Sequence, residues 1–372
     1  MKKVNGHEII QLFEQWAPKH LAMEGDPIGL HIGQLNRPVE RVLVTLDVNE
    51  QVVDEAIEKG ANLILAHHPP LFRPLKQIAT DTPQGRMIEK CIQHQIAVYA
   101  AHTNLDIANG GVNDLMADKL QLEDVRVLAE TTAETLYKFI VFSPSTHTEE
   151  IRKALATAGA GAIGDYEACS YSSTGEGRFT PSEAANPHIG SANQPEVVDE
   201  EKIEVIVPES MKNRVLKALL NAHPYEEPAY DIIRLEQKGE VFGLGRIGRL
   251  SEELSLDDFA TKVKEAFQVP ALRFVGNPHK KVKKVAVLGG DGNKYIYAAK
   301  RSGADVLVTG DLYFHVAQDA ESMNLAVVDP GHHVEQVMIE GVATYMSAQC
   351  ASKKYDVQWI QSEIDTEPFQ FK

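Results

Sequence analysis

Two adjacent histidines, His67 and His68, follow the apolar run 63–66 and are themselves followed by two prolines. A proline has no N–H to donate and restricts the residue before it, so the pair is predicted at the stiff end of a buried strand. Neutral imidazole is the commonest nitrogen ligand of zinc and related metals. Taken alone, the pair fits a surface loop with two incidental histidines better than a metal site, so the rest of the chain must decide.

Imidazole and carboxylate groups also follow two other apolar runs. His102 and Asp106 come after one of them, and the tandem histidines 332–333 precede Glu335 after the other. Residues three or four apart at a helix start can face one point. Because the carboxyl ends of parallel strands meet at one edge of an open α/β sheet, we expect these groups to converge. Imidazole and carboxylate without thiolate suit Zn²⁺, Fe²⁺ or Mn²⁺ and disfavour a structural zinc finger.

The number of candidate ligands indicates how many metal ions they could hold. Five or six ligands exceed what one tetrahedral ion needs, whereas two ions about 3.5–4 Å apart would use them together. The alternative is that each group is a local polar cap unrelated to the others. Because such groups recur at three separate strand ends, the pattern favours a metal centre.

Several weaker candidates lie near the same predicted edge. Gly290 belongs to a glycine-rich turn that could cradle a phosphate, although it matches neither standard phosphate motif, and a plain βα turn is the favoured interpretation. Asp311 and His315 follow a strand equivalent to the one before His67, so both are expected near the metals. His315 would contact substrate or pack behind the site. The HPYEEP segment at 223–228 is interpreted as a structural turn or an oligomer contact.

Composition excludes several classes of protein. The formal net charge of −16 disfavours a nucleic-acid partner, because binding to phosphate backbones needs a concentrated positive face. The three cysteines are scattered without CxxC spacing, which suits a reducing compartment. The N-terminal residues do not resemble a signal peptide, and no apolar run approaches the ~20 residues that span a bilayer. We therefore expect a cytoplasmic protein with neither a membrane nor a nucleic-acid partner.

The fold is predicted to be α/β, in two halves around an insertion. A shift of residues 41–68 by 243 positions aligns their strand, helix and closing glycine with a later segment, which suggests a duplicated βαβ unit. The region between them changes to the order strand, helix, strand, strand, helix, strand, which is the ferredoxin-like plan. The predicted domains are 1–128 and 239–372 for the two halves and 129–238 for the insert.

At these residues the sequence resembles the GTP cyclohydrolase 1 type 2 homologues, a family of dinuclear-metal proteins also called NGG-interacting-factor-like. The resemblance rests on the motifs AHHPPLF, AHTNLD, TGD and HHVEQ and covers both halves. Many members space the last histidine and glutamate by four residues, whereas here His332 and Glu335 are three apart and His333 is nearer still. The metal ligands that the resemblance implies, with His102 as their neighbour, are His67, His68, Asp106, His332 and Glu335.

The resemblance also implies an assembly and an activity. The insert resembles the PII-like or CutA-like domain of longer bacterial members, and the assembly is expected to be a hexameric toroid. The implied reaction is metal-dependent hydrolysis of GTP or a related nucleotide by an activated water, with Zn²⁺ preferred over Fe²⁺ or Mn²⁺. His102 and His315 are candidate proton shuttles, and Asp311 and Gly290 are candidate substrate contacts. The alternative is a non-enzymatic metal-binding regulator or scaffold with a PII-like sensor insert.

Overall fold

The structure, a computed structural model, describes residues 2–372. The chain divides into two compact units. Unit 1 combines the residues up to Thr131 with those from Phe242 onward, and unit 2 is Thr132–Val241. The sequence pattern predicted these boundaries at 128/129 and 238/239. Unit 2 is therefore an insertion in the chain of unit 1.

The strands of the described residues are numbered in chain order. They are β1 Val4–Asn5, β2 Gly29–Ile32, β3 Pro38–Val39, β4 Arg41–Thr45, β5 Leu63–Ala66, β6 Ala97–Ala100, β7 Glu123–Pro144, β8 Tyr171–Phe179, β9 Glu196–Pro208, β10 Tyr230–Ser255, β11 Arg273–Val275, β12 Lys281–Asp291, β13 Val306–Gly310, β14 Ala326–Asp329 and β15 Gln358–Gln361.

The α-helices are numbered in the same way, and short 3₁₀ turns precede several of them. The α-helices are α1 Gly6–Glu14, α2 Glu50–Glu58, α3 Pro83–Gln93, α4 Thr103–Ile107, α5 Val112–Lys119, α6 Thr148–Thr157, α7 Lys212–Ala222, α8 Leu256–Ala266, α9 Ile296–Arg301, α10 Phe314–Ser322 and α11 Val337–Ser352. Within the described residues, none of these helices has the length and hydrophobicity that a membrane span requires.

The first sheet of unit 1 has the strand order β15-β4-β5-β6-β2. β15, β4, β5 and β6 run parallel, and β2 pairs antiparallel with β6. The helices α2 and α3 connect consecutive parallel strands, so the chain from β4 to β6 forms two βαβ units. Neighbouring residues of β5, such as Leu63 and Ile64, belong to different apolar clusters. Burial on both faces explains why these strands are continuously apolar.

The second sheet of unit 1 repeats this arrangement. β12, β13 and β14 run parallel, β11 pairs antiparallel with β14, and β10 pairs antiparallel with β12. Val285 and Val287 of β12 belong to the same apolar core as Val42 and Val44 of β4, the positions that correspond at a shift of 243 residues. The two sheets of unit 1 therefore share one core.

Helix α5 connects the two segments of unit 1 through polar contacts. Arg246 of β10 is 2% exposed and donates through Nε and Nη2 to the two carboxylate oxygens of Asp114, each at 2.7 Å. Its other N–H groups donate to backbone carbonyls, so its buried charge is fully hydrogen-bonded. The neighbouring Asn113 accepts from the Gly289 N–H at 3.0 Å and donates to the Asp106 carbonyl at 2.9 Å. These contacts fix the end of β12 against α4.

Unit 2 contains the inner parts of β7 and β10 with β8, β9, α6 and α7. The strand order is β10-β7-β9-β8, and β9 pairs antiparallel with both β7 and β8. The order of elements along the chain is that of the split-βαβ plan. Ile151 of α6 and Leu219 of α7 pack with Phe139 of β7 in one apolar cluster, so both helices cover the sheet.

The strands β7 and β10 extend well beyond the runs 137–142 and 230–235 that their sequences indicate. Their outer parts belong to unit 1, where Leu128 and Ile247 pack in one apolar cluster. The sequence pattern after the tandem histidines predicts a helix over 334–349, whereas the structure has the 3₁₀ turn His332–Gln336 followed by α11. A 3₁₀ turn is common at a helix N-terminus, and here it turns two candidate ligands toward the strand ends.

Candidate metal centre

The candidate ligands of unit 1 lie where parallel strands end. His67 and His68 directly follow β5, and their N–H groups donate to the carbonyls of Thr45 and Leu46 at 3.1 and 2.9 Å, which continues the pairing with β4. His102 follows β6 and precedes α4. The remaining candidates lie on α4 and on the 3₁₀ turn after β14. Strand ends from both sheets of unit 1 therefore supply the site, as the strand-end argument predicts.

The side chains form three overlapping groups of potential metal ligands. In each group the ligand atoms lie within 4.8 Å of one another, and Glu335 belongs to two of the groups. Glu335 Oε2 lies 3.0 Å from His68 Nε2, 3.2 Å from His332 Nε2 and 3.8 Å from His67 Nε2. His67 Nε2 lies 3.5 Å from Asp106 Oδ1. Glu335 is thus the carboxylate that histidines from the strand ends of both sheets approach. The groups are His67–His68–His102, His68–His332–Glu335 and His67–Asp106–Glu335.

The other ring nitrogen of each histidine is held by an acceptor. The Nδ1 of His67 bonds to the Ala101 carbonyl at 2.9 Å. The Nδ1 atoms of three further histidines bond to carboxylates, which orients each ring and leaves Nε2 toward the centre. Metal-binding histidines in proteins are fixed by this kind of contact. These pairs are His68 with Asp47 at 2.7 Å, His102 with Asp26 at 2.9 Å and His332 with Asp311 at 2.6 Å.

The buried polar atoms of this cluster fit a cation. His67 Nε2 and Asp106 Oδ1 are both buried, and neither has a hydrogen-bond partner among the described residues. An unpartnered buried polar atom costs roughly 1–3 kcal/mol, so a protein that keeps two of them together needs a compensating interaction. A divalent cation supplies one, since imidazole nitrogen and carboxylate oxygen are its usual ligands. The donor set contains no sulfur and therefore suits Zn²⁺, Fe²⁺ or Mn²⁺.

The electrostatics of the cluster are those of closely packed, opposed charges. Burial raises the pKa of Asp106 to about 6, against the opposing effect of His67 and with a further increase from the neighbouring Glu335. Burial acts in the same direction on Glu335, but hydrogen bonds from His332 and His68, together with the nearby imidazole of His67, hold its pKa well below the ordinary value. Glu335 is therefore a carboxylate at neutral pH, as a metal ligand must be.

The pKa values of three imidazoles, those of His67, His68 and His332, are raised. Burial lowers the pKa of His67, but the nearby carboxylates of Asp106 and Glu335 outweigh it. Burial lowers the pKa of His68, but hydrogen bonds to Asp47 and Glu335 outweigh burial and raise the pKa to about 10. The hydrogen bond to Glu335 raises the pKa of His332 to about 9, although burial opposes it. The carboxylates around these rings thus stabilise positive charge at the centre.

The structure distinguishes between the two tandem histidines. His332 Nε2 faces Glu335, whereas His333 Nε2 lies 3.2 Å from Thr366 Oγ1 and 3.6 Å from Asp365 Oδ1. This orientation follows from Gly331, whose φ of +93° a side chain would disfavour. The geometry therefore favours His332 over His333 as the ligand.

The three remaining candidates, Gly290, Asp311 and His315, differ in whether they border the centre. Gly290 has a φ of +61°, and a Cβ there would lie 2.9 Å from Glu335 Oε1, so the close approach requires glycine. Asp311 also lines the cavity, but its carboxylate accepts from His332 and so orients that ring. His315 is exposed on α10 and pairs through Nδ1 with Gln318 at 3.2 Å. Gly290 and Asp311 therefore border the centre, whereas the His315 side chain bonds within its own helix.

Two orienting carboxylates, Asp26 and Asp47, were not among the residues that sequence reasoning selected. Asp47 had a usable signal, because it ends the run of β4 at the same sheet edge as His68. Asp26 lies in the loop before β2, 76 residues from His102, and no spacing rule connects the two. Its carboxylate also accepts from the N–H of Thr103 at 3.0 Å, which fixes the start of α4.

A cavity of 820 Å³ opens onto the centre within unit 1. Four of the five candidate ligands, His68, Asp106, His332 and Glu335, line it together with three aromatic side chains, Phe72, Tyr295 and Phe369. Lys294 also lines the cavity. This volume lies within the range of pockets that bind cofactors and small-molecule substrates.

The fold and this cluster define an α/β protein with a histidine–carboxylate centre at the strand ends. The chain belongs to the Duf34/NIF3 (NGG1p interacting factor 3) family, whose model matches residues 4–368. A Halalkalibacterium halodurans protein is 56% identical over 371 residues, with 100% of both chains covered. A Bacillus subtilis protein is 55% identical over 370 residues and covers 100% of this chain and 99% of its own. Both relatives are named GTP cyclohydrolase 1 type 2 homolog.

Solved structures show the same relationship. A Bacillus cereus protein related to NIF3 is 55% identical and superposes with a TM-score of 0.95, with both chains fully covered. A Staphylococcus aureus protein is 32% identical and superposes with a TM-score of 0.79, again over both whole chains. The family resemblance that the sequence motifs indicate is thereby confirmed, and so is the mixed α/β fold.

Proposed function

We propose that this chain holds two divalent metal ions and is a metal-dependent hydrolase that acts on GTP or a related nucleotide. The convergence of three imidazole Nε2 atoms on Glu335, beside the unpartnered Asp106 oxygen, carries the proposal. His67, Asp106 and Glu335 would hold one ion, and His68, His332 and Glu335 the other. Zn²⁺ is the preferred metal, with Fe²⁺ or Mn²⁺ as alternatives. Two such ions supply Lewis-acid polarisation of the substrate and lower the pKa of a water molecule toward neutrality.

His102 is the residue to which we assign proton transfer. It lines the cavity beside the candidate ligands, and Asp26 holds its Nδ1, so its Nε2 is available to exchange a proton with substrate. A histidine fixed within reach of a reacting group is the commonest acid–base catalyst in proteins. His315, the second candidate from the sequence, does not line this cavity in the described part of the chain and is assigned no proton transfer.

The side chains that line the cavity of unit 1 support the proposal of a nucleotide substrate. Phe72, Tyr295 and Phe369 offer aromatic surface to a base, and Lys294 offers a cation to phosphate. The backbone at Gly290 approaches the centre closely and is a further candidate substrate contact. Asp311, which was expected to contact substrate, is assigned to orient His332. The names of the relatives in Halalkalibacterium halodurans and Bacillus subtilis support GTP as the first substrate to test.

Unit 2 and the assembly carry further expectations of the family. We propose that unit 2 is a PII-like or CutA-like module, which the strand order β10-β7-β9-β8 supports, and that the protein is a hexameric toroid. A second function, a metal-binding regulator with a sensor insert, is favoured by one observation. Unit 2 contains a cavity of its own, which a purely structural insert does not need.

Turnover of nucleotides by the purified, metal-loaded protein tests the enzyme. GTP and other nucleotides are incubated with the protein and the products resolved. We expect hydrolysis that His68→Ala and Asp106→Ala abolish, because each removes a proposed ligand. His94→Ala, at an exposed histidine beyond α3, is the matched control and should leave turnover unchanged.

Turnover and metal content together separate the two functions. If no nucleotide is turned over while metal binding depends on the proposed ligands, the hydrolase is refuted and the regulator is retained. Less than about one metal ion per chain, unchanged by removal of His67 and His68, would refute the metal centre itself.

A further inference from the structure

Unit 2 contains a cavity of 390 Å³ that is distinct from the metal centre. It is built from the end of β8, the loop after β8 and the HPYEEP segment that follows α7. Its volume lies at the small end of the range for ligand pockets, which suits a ligand of about ten non-hydrogen atoms. All residues that line it belong to unit 2.

Aromatic rings form one wall of this cavity. The rings of Phe179 and Tyr225 lie 5.9 Å apart between centroids, and those of His188 and Tyr225 lie 6.3 Å apart. Phe142 completes the wall. The Phe179–Tyr225 contact is edge-to-face, a geometry that is favourable in itself, and the tilted His188 ring packs against the same tyrosine, so the rings hold one another in place.

A chain of hydrogen bonds fixes Tyr225 in this wall. The phenol donates to Glu200 Oε1 at 3.2 Å, and the Tyr225 N–H donates to His223 Nδ1 at 3.1 Å. His223 in turn donates through Nε2 to the Phe142 carbonyl at 2.9 Å. A neutral His223 satisfies both contacts, and burial lowers its pKa in agreement. The wall is therefore already ordered before any ligand binds, which reduces the entropic cost of binding.

Glu200 reaches the cavity over Gly177, a glycine that lies diagonally across from it on β8. A Cβ at Gly177 would lie 2.4 Å from the Glu200 carboxylate, closer than any such contact allows. With glycine at this position, the half-buried carboxylate lies beside the aromatic wall. Burial, followed by the effect of Glu200, raises the pKa of Tyr225 to about 12, so the phenol is a neutral hydrogen-bond donor.

The cavity carries a net negative charge. Glu200, Glu226 and Glu227 line it, and its one lysine or arginine is Arg178. Arg178 forms an ion pair with Glu176, which does not line the cavity. Glu226 accepts from the Asn186 N–H at 2.9 Å, which leaves its charge in place. Aromatic faces and uncompensated carboxylates together select a positively charged ligand.

We propose that this cavity binds a small organic cation, with an ammonium group beside Glu200 and an apolar body against Tyr225 and Phe179. The inference does not depend on the hydrolase. A metal ion is a poorer fit, because within residues 2–372 every group of three potential ligand atoms lies in unit 1. An anion would meet three carboxylates, and a peptide would need a longer groove than this volume provides.

Binding of three matched small molecules to the full-length, metal-loaded protein tests this proposal. The probes are phenethylammonium, its neutral counterpart 2-phenylethanol and the anion phenylacetate, each measured by isothermal titration and by ligand-observed NMR. We expect phenethylammonium to bind at least about tenfold more tightly than 2-phenylethanol, because a desolvated cation beside aromatic faces and a carboxylate gains this much. Phenylacetate should bind most weakly.

Substitutions then place the bound cation. Glu200→Gln should weaken phenethylammonium binding about tenfold, and Glu227→Gln, at an exposed rim position, about threefold. Glu236→Gln is the matched control, since this exposed glutamate of unit 2 does not line the cavity. If Glu200→Gln does not fold, Glu227→Gln still tests the charge dependence. Absence of phenethylammonium binding, equal binding of all three probes, preference for phenylacetate, or unchanged affinity in both variants would overturn the proposal.

Discussion

Histidines gather in two places in this molecule, one in each unit, and the two groups differ in how their ring nitrogens are hydrogen-bonded. In unit 1 the Nδ1 of each of four histidines is held by a carbonyl or a carboxylate, which leaves Nε2 toward Glu335 or the cavity. In unit 2, His223 uses both ring nitrogens in hydrogen bonds to the backbone. The His147 and His188 rings lie 5.4 Å apart, and His147 Nδ1 accepts from the Thr146 hydroxyl.

This difference indicates what distinguishes a candidate metal site from a group of packed histidines. Among residues 2–372, histidines lie close together in both units, but only unit 1 combines Nε2 atoms that face a common centre with buried carboxylates. In unit 2 the imidazoles serve as packing surface and as backbone hydrogen-bond partners. The sequence motif HPYEEP has a histidine and two glutamates in six residues, and the sequence favours a structural turn or an oligomer contact for it. In the structure its histidine, His223, bonds to the backbone.

The largest effect is expected from removing the carboxylate that both candidate sites share. Glu335→Gln keeps the shape of the side chain but removes its charge, so metal affinity should fall by more than about 100-fold, beyond the loss that orienting residues typically cause. Competition with a chelator measures the change. Glu340→Gln, at an exposed glutamate of α11 that pairs with Lys119, is the control. Metal affinity that survives Glu335→Gln would show that the centre is wrongly placed.

A second effect should come from the orienting carboxylates. Asp47→Asn and Asp311→Asn remove the charged acceptors of His68 and His332, and each should lower metal affinity by about 10- to 100-fold. Asp311 also has a φ of +53°, which aspartate tolerates better than most residues. The same chelator competition applies, with Asp54→Asn on α2 as the exposed control. An unchanged affinity in both variants would show that these carboxylates do not orient metal ligands, and the proposed difference between the histidines of the two units would be contradicted.

For His223, the expected effect is on the stability of unit 2. Burial, the largest cause, lowers its pKa in the folded state, so the unfolded state binds a proton more readily. The contribution of neutral His223 to the stability of unit 2 is complete above the pKa of the unfolded state, about 6.5. It is lost as the pH falls through this value toward the lower pKa of the folded state. His223→Gln should remove this pH dependence and cost about 1 kcal/mol at neutral pH through the lost hydrogen bonds.

Amide hydrogen exchange in β9, measured at about pH 7.5 and about pH 5, reports on unit 2 alone. His94→Gln in unit 1 serves as the control, because an exposed histidine of the other unit should leave this exchange unchanged. Protection in β9 that is the same at both pH values in the wild type would contradict the assigned role of His223.

The smallest effect is expected at the two remaining histidines of unit 2. His147→Ala and His188→Ala should leave the metal content per chain unchanged, because neither residue belongs to a group of three potential ligands. Elemental analysis after dialysis measures the content, and His67→Ala run in parallel should lower it. A loss of metal in either unit 2 variant would mean that proximity of imidazoles is sufficient for metal binding.

Much of the fold follows from the sequence because buried parallel strands are continuously apolar. The runs before His67, before His102 and before the tandem histidines become β5, β6 and β14. The outer parts of β7 and β10 could not be predicted in the same way, because 123–131 of β7 is mostly exposed and charged, and the buried run 243–248 of β10 contains three glycines and Arg246. Such a pattern is also compatible with an irregular segment, and only pairing with neighbouring strands makes it a long strand.

The candidate site could be predicted from the sequence to a similar extent. Histidines at the ends of parallel strands must meet, so their convergence needed no knowledge of packing. The choice between His332 and His333 did need it, because the φ of Gly331 and the following 3₁₀ turn decide which ring faces Glu335. Asp26 also required the structure, since a loop distant in sequence brings it to His102.

The most direct test of the metal centre is anomalous X-ray diffraction from crystals of the full-length protein grown with Zn²⁺, recorded on both sides of the zinc absorption edge. The expected result is two anomalous peaks per chain, one contacting His67 and Asp106, the other contacting His68 and His332, with Glu335 adjacent to both. Crystals of Glu335→Gln should lose or weaken both peaks. No peak at these side chains, or zinc bound only at the histidines of unit 2, would contradict the centre proposed here.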